Sequence, residues 1–212
     1  MNKFVKSEKG FTLVELAIVL VIIGIILGGV IKGQELINNA KVKKIPQMHK
    51  EISAAVYAYQ DRYRFLPGDD STATTRWATA ANGNANTQIA YNAGNYLACA
   101  AATASEACYA WEHMRQAGFL SGSGRLNPQH AYAANVGVGY MTGIAAGYPT
   151  IAGNWLAFAT IPVEVAEQID TQFDDGNRTA AAAGTGWNTG TVQTSATWVA
   201  APGTLVTLFM KI

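Results

Sequence analysis

The side chains in this 212-residue chain that could do chemistry are few and differ in kind. Glu15 is an ionisable group inside an apolar run, residues 11–31, that holds no other charge. A carboxylate in such a run costs about 3 kcal/mol at mid-membrane and less near the interface, so a partner must be sought for it. Cys99 and Cys108 can form a disulfide, or at most half of a metal site, because no CxxC or histidine cluster lies near them. His49, His113 and His130 are scattered. His113 beside Glu112 reads as a helix surface pair rather than a zinc site. Asp170, Asp174 and Asp175 are close enough in sequence to suit a hard cation such as calcium. Their spacing matches no calcium loop, and helix termination is the reading taken. Ser121 and Ser123 lack a nucleophile-elbow pattern. Gly137, Gly139 and Gly143 miss the dinucleotide spacing, and there is no phosphate-binding loop. The expectation is a protein without cofactor, without a metal site and without catalytic residues, hence no enzyme.

The first element is the apolar run itself, about long enough to cross a bilayer as a helix. It follows a short polar leader, residues 1–10. A secretory signal has a shorter apolar core, roughly 7–15 residues, and a small-x-small cleavage site. Here the abrupt small-residue boundary is Gly10, ahead of the run, although Gly24, Gly28 and Gly29 could supply a poor conventional site. Ile45, Met48, Ile52, Ala55, Val56, Tyr59 and Tyr63 then recur at three- and four-residue intervals, which predicts that the helix continues to about residue 65 with one apolar stripe. That is roughly 80 Å at 1.5 Å per residue. Pro46 removes a backbone donor and predicts a kink. Gly24, Gly28, Gly29 and Gly33 weaken the helix by about 1 kcal/mol each relative to Ala. Leu66-Pro67-Gly68-Asp69 predicts a type II turn that stops it.

A second helix is predicted over 105–117, with Thr103 and Glu106 at capping-box spacing, Gly118 just past its end, and Cys108, Trp111 and Met114 on its buried side. Strand-like pieces follow at 136–142, 155–160, 190–194 and 204–212. A third helix starts near Pro162, places Val165, Ile169 and Phe173 on one face, and ends near residues 174–176. The fold class expected is α+β: a long amino-terminal helix on a small antiparallel sheet, with helical and loop insertions. Hydrophobic residues make up 50% of the chain and charged ones 14%, and Gly, Ala, Asn and Thr dominate 71–105 and 176–204. Such a composition suits an exported, loop-rich domain better than a compact cytosolic enzyme.

Gly10-Phe11-Thr12-Leu13-Val14-Glu15-Leu16-Ala17-Ile18-Val19-Leu20 resembles the prepilin cleavage and methylation segment of type IV pilins and of the pseudopilins of type II secretion. The likeness covers about the first 30 residues, and Lys32 stands where many pilins have proline. The resemblance implies cleavage between Gly10 and Phe11 by a prepilin peptidase, N-methylation of Phe11, and an assembly role for Glu15. It divides the chain into a leader at 1–10, a transmembrane and filament-core helix at 11–31, its continuation at 32–65, and a pilin-like globular head at 66–212. It implies an inner-membrane prepilin with a cytoplasmic leader and a periplasmic head, later part of an extracellular filament or periplasmic pseudopilus. The implied partners are other pilins or copies of the same chain, the peptidase, an assembly ATPase, an inner-membrane platform protein and membrane lipid. Glu15 has two readings. It can compensate the free N–H groups and positive dipole end of its own helix. Alternatively it pairs with the ammonium of Phe11 on a neighbouring subunit, the reading favoured on the resemblance.

The net charge of +1 is unevenly spread. Lys32, Lys41, Lys43, Lys44 and Lys50 face Glu35 alone in 32–50, and the remainder is acidic. The lysine excess after the run opposes a cytoplasmic leader by the positive-inside rule, but long carboxy-terminal domains translocate largely regardless of charge; an outward leader is the alternative. The basic segment could meet lipid, a neighbouring head or DNA. Without interleaved aromatics nucleic acid is not expected, and a solvated helix face is the reading taken. In an exported chain Cys99 and Cys108 are expected to pair. The functional expectation is a pilus subunit, major or minor. A secretion pseudopilin is the runner-up, and a membrane-anchored enzyme or binding protein with a prepilin-like signal is the alternative of another class.

Overall fold

The computed structural model describes residues 10–91, 95–141, 149, 151–174, 190–195, 201 and 203–212. By packing, the chain divides into two units, Met1–Ala40 and Lys41–Ile212. One helix, α1 (Leu13–Tyr63), runs through the boundary between them.

Among the described residues, nothing covers the apolar side chains of α1 in the first unit. Leu13, Leu20, Ile25 and Ile31 are exposed, as are the other large apolar side chains of the run. The helix is long and apolar enough to cross a membrane, with a mean hydropathy of 2.9 over its most apolar 18 residues. A Cβ added at Gly24, Gly28, Gly29 or Gly33 would meet nothing.

In the second unit the same helix is amphipathic. Ile45, Ile52, Ala55, Val56 and Tyr59 are buried, while Met48 and Tyr63 are half-buried, so the stripe read from the sequence is the buried face. The helix continues through Pro46. It ends at Tyr63, two residues earlier than expected, because Arg64 turns the chain with φ of 66°. The type II turn is present: Gly68 has φ of 90° and the Asp69 N–H donates to the Leu66 carbonyl at 3.2 Å. Gly68 is further required because a Cβ there would strike the Glu106 carbonyl.

After a short helix α2 (Ala73–Arg76) and a 3-10 turn (Asn95–Leu97) comes α3 (Glu106–Gln116). Strands β1 (Val136–Met141) and β2 (Gly153–Pro162) precede helix α4 (Val163–Phe173), and β3 (Val192–Thr194) and β4 (Leu205–Lys211) follow it. The described strands form an antiparallel sheet in the order β1-β2-β4-β3. Thus the α+β class is as expected, and the strands fall where the sequence placed them, give or take their ends. Thr142 and Gly143, and the 175–176 end of the third predicted helix, lie outside the described residues. Gly137 and Gly139 make room for tyrosines: Tyr96 and Tyr91 lie where their Cβ atoms would be. Trp155, Phe158 and Phe209 from the sheet, Trp111 and Met114 from α3, and Ile45, Ile52 and Val56 from α1 belong to one core. In α4 the buried face is Val163, Ala166, Ile169 and Asp170; Phe173, expected on it, is 40% exposed with Lys50 over its ring.

Two expectations for α3 fail. Its N-cap is Ser105, and Thr103 does not form a capping box with Glu106. The Thr103 hydroxyl accepts from the Ala100 N–H, and both Glu106 oxygens are taken by distant backbone, the Asn84 and Ala90 N–H groups at 2.9 and 2.8 Å. Nor are Glu112 and His113 a surface pair. Both are buried; Glu112 pairs with Arg125 at 2.7 Å, and His113 takes other partners.

Candidate functional site

The amino-terminal site spans the six positions from Gly10 to Glu15, with Glu15 reaching back along them. Gly10, Phe11 and Thr12 precede the helix and are exposed, Phe11 at 82%. A Cβ on Gly10 would meet no described residue, so no steric demand among the described residues calls for glycine there. The Thr12 hydroxyl accepts from the Glu15 N–H at 3.2 Å, while Glu15 Oε2 accepts from the Thr12 N–H at 2.8 Å and the Thr12 hydroxyl at 2.9 Å. With Leu13 as the first helical residue, this is a capping box closed in both directions, which satisfies two otherwise orphan donors. The reading in which Glu15 compensates its own helix is therefore realised in the single chain. The sequence reading overlooked Thr12, although T-x-x-E spacing was the signal for it.

The other candidates are distributed through the head. Cys99 and Cys108 are joined by a disulfide, with Cα atoms 5.4 Å apart. It ties the segment before α3 to the buried side of that helix. Asp170 is buried on α4, Asp174 accepts from the Val192 N–H at 3.0 Å, and Asp175 lies outside the described residues. Among the described residues no group of three or more His, Cys, Asp or Glu could hold a metal ion. Lys43, Lys44 and Lys50 are exposed on α1, in keeping with a solvated face, and Lys44 approaches Glu51 at 3.5 Å.

A dense polar cluster lies where the chain leaves α1, in the segment read as a simple turn. Asp70 accepts from the Tyr59 hydroxyl at 2.7 Å and from the Thr72 N–H and hydroxyl at 2.8 Å each, and pairs with Arg76. Burial pushes the Asp70 carboxyl upward, but the bonds from Tyr59 and Thr72 and the Arg76 charge outweigh it and hold it below its ordinary range. Asp69 accepts from the Asn86 and Thr87 N–H groups at 2.9 and 2.6 Å. Glu106 is raised by burial, against its two backbone bonds. These carboxylates are all engaged with the chain's own backbone and side chains. The arrangement fixes a long loop rather than activating a reacting atom.

Residues 5–31 match the family model of the prokaryotic N-terminal methylation motif. The chain carries the prepilin-type cleavage and methylation signal of the type IV pilin family. No curated protein and no solved structure matches the chain. The matched segment covers Gly10, the capping box and most of the exposed apolar helix together. The long helix and the antiparallel sheet of the described residues are consistent with a pilin-like α+β fold, and together with this signal they point to a structural subunit. Such a signal implies processing by a prepilin peptidase and assembly with other pilins.

Proposed function

We propose that this chain is a structural subunit, major or minor, of a type IV pilus-like filament, stored in the inner membrane and polymerised through its amino-terminal helix. The observation that carries the reading is the juxtaposition of an exposed apolar helix with a self-capped Glu15 directly after the Gly10–Phe11 junction. In the stored form the bilayer covers the apolar face, and Thr12 with the first N–H groups satisfies the carboxylate. Cleavage then creates an ammonium at Phe11, and methylation retains its charge. In a filament, neighbouring helices replace lipid around 11–31, and Glu15 exchanges part of its capping for the Phe11 ammonium of a neighbour. A subunit inserted out of register would leave a charge unpaired in apolar surroundings, which costs several kcal/mol. Glu15 thus selects register. The peptidase, assembly ATPase and platform protein are the partners this role requires, with the leader cytoplasmic and the head translocated.

The test is deletion with two readouts, surface filaments identified by mass spectrometry and secretion of exoproteins. Filaments that contain this chain and vanish on its deletion are expected. Intact filaments with failed secretion would assign the chain to a secretion pseudopilus instead. A cleaved protein that stays monomeric in membranes and turns over a substrate would refute both.

A further inference from the structure

His113 lies at the junction of three segments, and its two ring nitrogens are both committed to backbone. The Gly68 N–H donates to Nδ1 at 3.0 Å, and Nε2 lies 2.8 Å from the Ala81 carbonyl. Because Nδ1 is the acceptor, the proton must sit on Nε2, which donates to Ala81. The imidazole is fully buried and stacks on Tyr59 of α1, with ring centroids 5.9 Å apart and planes 15° apart. One neutral ring thus holds the turn after α1 and the loop at 81 to α3.

This pair of bonds is available only to the neutral ring. An imidazolium has two N–H groups and no acceptor. Proton uptake at Nδ1 would set it against the Gly68 N–H inside a buried site. A ring flip cannot help, since one side always demands an acceptor. Gly68 cannot simply retreat toward α3, because the Glu106 carbonyl and Ala110 crowd it. The ionisable groups around the ring are Tyr59 from α1, Asp70 and Arg76 from the 66–76 segment, and Glu112 and Tyr109 from α3. Asp70 and Glu112 favour the charged ring, and Arg76 opposes it; each is already paired, Asp70 with Arg76 and Glu112 with Arg125.

We propose that His113 is an acid-sensitive latch: neutral, it clasps the 66–89 segment to the head, and protonated, it releases the Pro67–Gly68 turn and the 81–87 loop while the sheet stays folded. Burial holds the imidazole below its ordinary value, against the pull of the Ala81 carbonyl and the two carboxylates. The sign follows from linkage. The free ring binds a proton near pH 6.5 and the latched ring only at lower pH. The latch therefore contributes fully above about pH 6.5 and weakens as pH falls below it, through the latched ring's lower value. The released surface is held by the Asn86 and Thr87 N–H groups donating to the Asp69 carboxylate and by the Gly83 and Ala85 N–H groups donating to the Asp70 and Asp69 carbonyls.

The experiment is amide exchange on the full chain in detergent between pH 7.5 and 5, corrected for the intrinsic pH dependence of exchange. Expected is a loss of protection of at least tenfold at Gly68, Gly83 and Ala85, with Leu156 and Phe209 in the sheet unchanged. His113→Gln can keep one acceptor and one donor without titrating, and is expected to retain protection and lose its pH dependence. A second measurement on the unaltered protein guards against a variant that does not fold: ring nitrogen shifts should show Nε2–H at neutral pH, titrating together with the Gly68 amide. The proposal is overturned if His113 titrates with Gly68 still protected, if protection survives to pH 5, or if His113→Gln folds and opens with the same pH profile.

Discussion

From Leu13 to Ala40, α1 turns its Leu, Ile and Val side chains outward; from Lys41 to Tyr63 the same helix buries Ile45, Ile52, Val56 and Tyr59. The difference lies in sequence pattern rather than in backbone. Apart from Glu15, residues 13–31 are apolar all round, so no single face can turn inward and the whole circumference needs an external cover. The second half has one apolar stripe, which a single head can cover. Polar groups divide the same way. Glu15 finds its partner three residues away, within its own helix end, whereas Asp70, Glu106 and His113 reach across the fold. Among the described residues of the first unit, Glu15 is thus satisfied locally while the apolar side chains of 13–31 stay exposed, as suits the proposed passage from lipid to protein surroundings.

The contrast can be broken by substitution. The largest stability effect is expected in the head: Trp155→Ala should cost about 3–5 kcal/mol in denaturant unfolding, as large aromatic truncations in a core do. Ile22→Ala, at an exposed position of the first unit, should change head stability by less than about 0.5 kcal/mol. An equal loss from both would show that the units are not energetically distinct. Next, Cys108→Ser should cost about 2–3 kcal/mol for the short loop it opens, read as a lowered midpoint that reductant reproduces in the unaltered protein. Tyr59→Phe removes the hydroxyl donated to Asp70 and should cost about 1.5–3 kcal/mol. Because Asp70 titrates below its ordinary range, its contribution is present at neutral pH and lost as pH falls through that lowered value; an unchanged acid limb in Tyr59→Phe would place the effect elsewhere. The smallest effect is expected from Thr12→Val, about 0.5–2 kcal/mol confined to the first turn of α1 and visible as faster amide exchange at Leu13–Glu15 with the head untouched.

The two T-x-x-E sequences show how far sequence reading reaches. Thr12-x-x-Glu15 closes as a capping box because no other described residue competes for the carboxylate. Thr103-x-x-Glu106 has the same spacing and does not, because loop N–H groups at Asn84 and Ala90 claim Glu106. Local spacing decides the outcome where a segment has no tertiary neighbours, and tertiary partners override it where it has many. The long helix, its buried stripe, the Pro67–Gly68 turn, the strands and the Cys99–Cys108 pairing were legible for the same reason: periodicity, turn chemistry and compartment carry them. The burial of His113 and Glu112 was not. Helix α3 is enclosed nearly all round, so polar side chains lie inside it with partners 13 and 45 residues distant, beyond any local pattern.

The central claim is that the exposed half of α1 is covered by other copies of this chain, with Glu15 exchanging its Thr12 bonds for a neighbour's amino terminus. Imaging of purified native filaments at side-chain resolution tests it most directly. The account predicts residues 11–31 in the filament core, with the Glu15 carboxylate within hydrogen-bond distance of the Phe11 nitrogen of an adjacent subunit. Filaments in which Glu15 remains bonded to its own Thr12 and the Phe11 nitrogen meets no carboxylate would contradict it, as would native filaments that do not contain this chain.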